Sequence, residues 1–213
     1  LQLVPITGDN MGEIAYLDGV LYGLKATASD RNVYYLSGDT WTALPGSNSV
    51  PAGTARSLRG INNRLFVGAG GQTYEIARKS NNSQSKVIML NIGSQILDAC
   101  TINGRFYLLT SSGLYEDESL VASPEEGSYT CCCSDGEKRV LTAAAAGTSA
   151  YYSSFESFPP MYTFKDLAYG NGVYMAASGD RILRSTDGVN WETALMMNNY
   201  YTNGPLDCIM FGG

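Results

Sequence analysis

Asp166-Leu167-Ala168-Tyr169-Gly170-Asn171-Gly172-Val173-Tyr174-Met175-Ala176-Ala177 is the stretch that decides the fold. Two short apolar and aromatic runs flank Asn171-Gly172. Asn-Gly supplies the positive φ angles of a tight hairpin turn, so the stretch reads as two antiparallel strands. The pattern recurs. Ile14-Ala15-Tyr16-Leu17-Asp18-Gly19 precedes Val20-Leu21-Tyr22, and Leu58-Arg59-Gly60-Ile61-Asn62-Asn63 precedes Arg64-Leu65-Phe66-Val67. Thr101-Ile102-Asn103-Gly104 precedes Arg105-Phe106-Tyr107-Leu108-Leu109, and Cys131-Cys132-Cys133-Ser134-Asp135-Gly136 stands before Val140-Leu141. A half-copy follows at Cys208-Ile209-Met210-Phe211-Gly212-Gly213. The second turn residues, Gly19, Asn63, Gly104, Gly136, Gly172 and Gly213, lie 32 to 44 residues apart.

A third strand follows each hairpin, marked by Tyr34, Tyr74, Tyr115, Tyr151 and Leu183 in the same order and nearly the same phase. Aromatic residues open a fourth strand in several copies, at Trp41, Phe158 and Trp191. Four short strands per repeat of roughly 40 residues is the signature of a β-propeller blade. No segment keeps a helical period. The expected fold is therefore all-β: one β-propeller domain over residues 1–213, with about five four-stranded blades. Residues 1–5 read as an outer strand and 206–211 as an innermost one. The terminal strands then form a clasp, or part of a sixth blade that a partner or another protomer completes. The chain starts at Leu1 without a Met, which reads as processing or as a piece excised from something longer.

Composition excludes several classes. With no histidine among 213 residues, Ser-His-Asp and Cys-His catalysis, His-ligated zinc and histidine pH switching are ruled out. A net charge of −6 carries no basic footprint for nucleic acid. No apolar run reaches the roughly 18 residues of a membrane span, so no membrane insertion is expected. Only 16% of residues are charged, whereas Gly (24) and Tyr (15) abound, as suits a turn-rich β fold.

The five cysteines are Cys100, Cys131, Cys132, Cys133 and Cys208. Strand alternation puts Cys131 and Cys133 on one face and Cys132 on the other. No C-x-x-C spacing occurs, so they read as buried, reduced, small apolar residues of a chain assembled in a reducing cytoplasm. No metal site and no cofactor is expected.

The fifth copy continues with Arg184-Ser185-Thr186-Asp187-Gly188-Val189-Asn190-Trp191. This resembles the Asp-box repeats of sialidase-like β-propellers, Ser-x-Asp-x-Gly-x-x-Trp, shortened by one residue. Ser37-Gly38-Asp39-Thr40-Trp41 is a weaker echo. The likeness is specific over about 30 residues. It implies a propeller, with Asp187 and Asp39 capping the turn between third and fourth strands and Trp191 and Trp41 packing between blades. It implies function only weakly: a true sialidase uses an Arg triad, and although nine Arg are present, no Phe-Arg-Ile-Pro-like opening motif occurs. Arg56 and Arg59 read as a solvated or salt-bridged pair. Acid runs such as Glu116-Asp117-Glu118 lie in turns, where they read as solvated charge, and no catalytic residue is assigned.

Loops are the expected binding elements. Residues 79–86 form a polar insertion that reads as mobile. Residues 196–205 hold Asn199, Tyr200, Tyr201 and Asn203, whose rings and amides suit sugar or protein contact. Similar propellers are frequent in phage tail fibres and bacterial surface proteins. The resemblance thus implies a non-enzymatic module, associated with a virion or cell surface, that binds a host surface glycan or a neighbouring virion or surface protein. The alternatives are a sialidase-like glycoside hydrolase and a cytoplasmic protein-interaction scaffold.

Overall fold

The computed structural model describes residues 10–25, 27, 29–52, 56–124, 127–144, 147–152, 154–157, 163–196 and 209. The expected terminal strands, the Tyr200 loop and Cys208 lie outside the described residues. Among the described residues there are five four-stranded sheets, each a meander of sequential strands. The chain divides into two units, Leu1–Ile96 and Leu97–Gly213.

The first unit holds two blades: β1 (Met11–Leu17), β2 (Val20–Lys25), β3 (Val33–Ser37) and β4 (Thr40–Ala43), then β5 (Arg56–Ile61), β6 (Arg64–Ala69), β7 (Gln72–Arg78) and β8 (Ser85–Met89). The second unit holds three. The third blade is β9 (Ile96–Ile102, whose first residue closes the first unit), β10 (Arg105–Thr110), β11 (Leu114–Glu116) and β12 (Ser119–Ala122). The fourth is β13 (Tyr129–Ser134), β14 (Val140–Ala144), β15 (Gly147–Tyr152) and β16 (Ser154–Ser157). The fifth is β17 (Asp166–Gly170), β18 (Val173–Ser178), β19 (Arg181–Ser185) and β20 (Glu192–Met196).

Four of the five inner hairpins close as the sequence suggests. Asp18-Gly19, Asn62-Asn63, Asn103-Gly104 and Asn171-Gly172 all have positive φ at both positions, the type I′ geometry that matches strand twist. The fourth blade departs from this. Ser134 pairs with Val140, leaving five residues in the turn. Asp135 closes it instead, with Oδ1 accepting the N–H groups of Glu137, Lys138 and Arg139 at 3.0, 2.7 and 2.9 Å.

Second strands are buried almost throughout: β6, β10 and β14 each present residues shielded on both faces. This explains why their sequences are continuous apolar runs rather than alternating ones. In the first unit, Leu17, Tyr22, Leu24 and Val33 of one blade pack on Leu58, Leu65, Val67 and Ile76 of the next. In the second, Cys131, Cys133, Leu141 and Ala143 pack on Leu167, Tyr174, Ala176 and Leu183.

Polar links cross between repeats as well. Asp98 Oδ1 accepts the N–H of Ala99, and its Oδ2 accepts the N–H of Cys132 on the next innermost strand, both at 2.9 Å. Asp166 repeats the arrangement with the N–H groups of Leu167 at 2.9 Å and Ile209 at 2.8 Å. Both acids stand six residues before the turn glycine, Gly104 or Gly172.

The loop after β7 is not the unpacked insertion its composition suggests. Lys79 N–H donates to the Gln84 carbonyl and Asn82 N–H to the Lys79 carbonyl, both at 2.9 Å. Asn82 adopts φ 57° and is only 5% exposed, because its Oδ1 accepts the Tyr22 hydroxyl at 2.8 Å. A single amide thus ties the second blade to the core of the first. Asn82→Ala leaves the buried Tyr22 hydroxyl unpaired and is expected to cost about 1–3 kcal/mol in denaturant unfolding. Adding Tyr22→Phe should recover part of that loss, and a double variant no better than Asn82→Ala argues against the link.

Candidate functional site

The turn between β19 and β20 is the most densely bonded loop of the fifth blade. Ser185, at the end of β19, is buried; its Oγ donates to Asp187 Oδ1 at 2.9 Å and accepts the N–H of Gly188 at 2.9 Å. Asp187 Oδ1 also accepts the N–H groups of Val189 and Asn190, both at 2.8 Å, and Oδ2 accepts the Asn190 amide at 2.8 Å. Burial alone would raise the Asp187 carboxyl, but the donors on Asn190, Val189 and Ser185 hold it well below the ordinary range. Gly188, with φ 74°, completes the reversal. The Arg139 guanidinium, from the five-residue turn of the fourth blade, donates to the Asp187 carbonyl.

Trp191 leaves this turn half-buried. Its Nε1–H donates to the Gly188 carbonyl at 3.1 Å, and its ring lies 4.7 Å from that of Phe164, tilted by 56°. Beside it opens a pocket of about 410 Å³ lined by Val173, Arg184, Thr186, Asn190, Trp191 and Glu192. Arg184 and Glu192 form an ion pair at 2.7 Å on its rim.

Asp39 is placed differently. Ser37 pairs with Thr40, so only Gly38-Asp39 separate β3 from β4, and the reversal is made by Gly38 at φ 60° rather than by a carboxylate cap. Asp39 is exposed. Trp41 is half-buried over Gly23 of β2, where a Cβ would meet its ring at 3.2 Å.

A second, wider pocket of about 660 Å³ lies at the β2–β3 loop, lined by Lys25, Ser29, Asp30, Arg31, Asn32 and Asn48. Asp30 Oδ2 accepts the Tyr34 hydroxyl at 2.7 Å and faces Lys25 Nζ at 3.5 Å, and its Oδ1 accepts the Asn32 N–H at 2.9 Å. Against the effect of burial, Asn32, Tyr34 and Lys25 keep the Asp30 carboxyl below its usual range. Neither Lys25 nor Asp30 was singled out in the sequence; the signal available was Asp-x-Asn after a strand, an Asx-turn pattern.

Tyr200, Tyr201, Asn199 and Asn203 fall outside the described residues. Arg59 meets Glu13 at 3.2 Å. Cys100, Cys131, Cys132 and Cys133 are free and buried. Burial pushes the Cys131 and Cys133 thiols far up, and the hydrogen bond to Cys100, with burial, does the same for Cys132. Among the described residues, no group of three or more Cys, Asp or Glu is placed to hold a metal ion.

No family model matches the chain, and no curated protein matches it. Solved structures do. One is PorZ, an essential bacterial surface component of the type-IX secretion system of Porphyromonas gingivalis, with a TM-score of 0.60 and 12% identity over 90% of this chain and 29% of that one. Another is the extracellular domain of a putative hybrid two-component system from B. thetaiotaomicron, with a TM-score of 0.59 and 11% identity over 91% of this chain and 35% of that one. The chain thus spans about a third of the length of each. These likenesses bear on the fold: the protein is an all-β propeller. Its five described blades are each four-stranded.

Two measurements check the chemistry described. A carboxyl held low in the folded state stabilises the fold above its unfolded pKa of about 3.9, and loses that contribution as pH falls toward the lower folded value. Asp187→Asn should therefore be less stable than the parent at neutral pH, with the gap narrowing between about pH 5 and pH 2. A gap that stays constant removes the carboxylate from the account. In a Cys208→Ser background, the four buried thiols should resist a disulfide reagent at about pH 8 and react fully in guanidinium. Rapid labelling of the folded chain contradicts their burial.

Proposed function

We propose that this propeller is a non-enzymatic binding module displayed on the outside of a cell or particle, and that it engages a surface glycan. The observation that carries this reading is the chemistry of the two open pockets. Both are lined largely by polar side chains, and the one beside Trp191 adds a balanced Arg184–Glu192 pair and an indole. A glycoside hydrolase needs a carboxyl held protonated as general acid. Asp30, Asp135 and Asp187 instead hold their carboxyls below the ordinary range, each committed to hydrogen-bond donors. Such groups position a loop rather than transfer a proton.

The setting receives support from the two structural neighbours, one named as a bacterial surface component and the other as an extracellular domain. The Asp-box resemblance extends the proposal to a phage-like appendage, where a neighbouring virion protein takes the place of the glycan as partner. The proposal also takes in Asn199, Tyr200, Tyr201 and Asn203, residue types that suit sugar or protein contact.

The test is binding of the labelled chain to a glycan array and to a panel of bacterial cells, beside a Tyr200→Ala/Tyr201→Ala variant. Saturable binding is the expected result, with loss in the variant if that loop takes part. Absence of binding to every glycan and cell overturns the glycan reading. Release of sugar from the array overturns the non-enzymatic one.

A further inference from the structure

The geometry points to the pocket beside Trp191 as a subsite for one neutral sugar ring. This deepens the glycan-binding reading and rests on it. Three features specify the ligand. First, the indole is fixed and already spent as a donor: Phe164 packs against it and Nε1–H is taken by the Gly188 carbonyl. What Trp191 offers the pocket is hydrocarbon surface, which suits the apolar C–H face of a pyranose.

Second, the wall around the indole carries hydrogen-bonding groups of both kinds. The Asn190 amide nitrogen is held by Asp187 Oδ2 at 2.8 Å, which fixes that side chain and leaves its oxygen as the acceptor. Thr186 supplies a hydroxyl, Arg184 further N–H donors and Glu192 a second carboxylate oxygen. A ring of hydroxyls is the ligand that uses donors and acceptors in alternation.

Third, the charges cancel. Arg184 and Glu192 pair through Nε and Oε1 at 2.7 Å while their side chains remain 57% and 67% exposed. A pair so open to water adds little to folding stability, so its removal tests binding without threatening the fold. A local net charge of zero, with a carboxylate on the rim, disfavours sialate, phosphate and other anions. The volume of about 410 Å³ lies in the lower part of the usual range for small-molecule sites, which suits one ring with room for its neighbour's linkage.

The chain contains two tryptophans, so Trp41→Phe leaves Trp191 as the single reporter. This variant is titrated with methyl β-galactoside, methyl β-glucoside and methyl α-mannoside, and with N-acetylneuraminic acid as the acidic comparison. At least one neutral glycoside should change the indole emission saturably in the millimolar range. Arg184→Ala/Glu192→Ala should weaken that response at least tenfold with an unchanged unfolding midpoint. Saturation-transfer NMR on the unsubstituted chain gives the same comparison free of the Trp41 change. A silent titration, a response that survives the double variant, or tighter binding of the acidic sugar overturns the inference. Array binding that persists in the double variant removes this subsite and keeps the wider glycan reading; a blank array together with a silent titration removes both.

Discussion

Each described blade depends on one constraint: a four-stranded antiparallel sheet of this size cannot bury its own second strand. β6, β10 and β14 are shielded on both faces, yet a sheet covers neither of its faces with its own residues. Within each unit a neighbouring blade supplies such shielding, as the clusters around Leu58 and Leu167 show. Repeat length, turn chemistry and the low charge all follow from it. The innermost hairpin must reverse in two residues without splaying its strands, which selects Asp-Gly and Asn-Gly. The stacked faces must be apolar and flat, which favours Tyr, Leu, Val and small residues such as Ala and Cys. The cysteine triplet fits this demand: three small side chains fill both faces of β13 where larger ones would push the blades apart.

Much of this was legible in the chain. Turn dipeptides gave the inner hairpins because two positive φ angles have few solutions in sequence, and the third-strand markers fell on β3, β7, β11, β15 and β19. The fourth strands were harder. β8, β12 and β16 open on Ser85, Ser119 and Ser154, with no aromatic to announce them, since an outer strand has one neighbour and little to bury; Phe158, expected to open the fourth strand of its copy, comes after β16 and lies outside the described residues. The Asp135 turn misled because Asp-Gly is compatible with a two-residue reversal and with an Asx-capped loop alike; the distance to Val140 was the clue. The 79–84 loop misled for another reason. Its composition is that of a solvated segment, and the Tyr22 hydroxyl that recruits Asn82 lies 60 residues away.

The binding surfaces were the least legible part. Trp191 stood out, but Arg184, Asn190 and Glu192 become neighbours only when the short box turn folds back on β19. Hydrogen bonds accepted by one acid, Asp187, build that fold-back, so a residue with no place in the pocket lining sets where Asn190 of the lining stands. The split between framework and surface is general for such folds. Here it runs through a single loop.

The two acids Asp98 and Asp166 have a further consequence. Each grips the main chain of the segment that follows, and neither asks anything of the side chain it holds: Cys132 in one case, Ile209 in the other. A clamp blind to side chains conserves register while leaving composition free. Copies joined this way drift apart in sequence without losing their places, which is consistent with a chain whose fold is matched over 90% of its length by a protein only 12% identical to it.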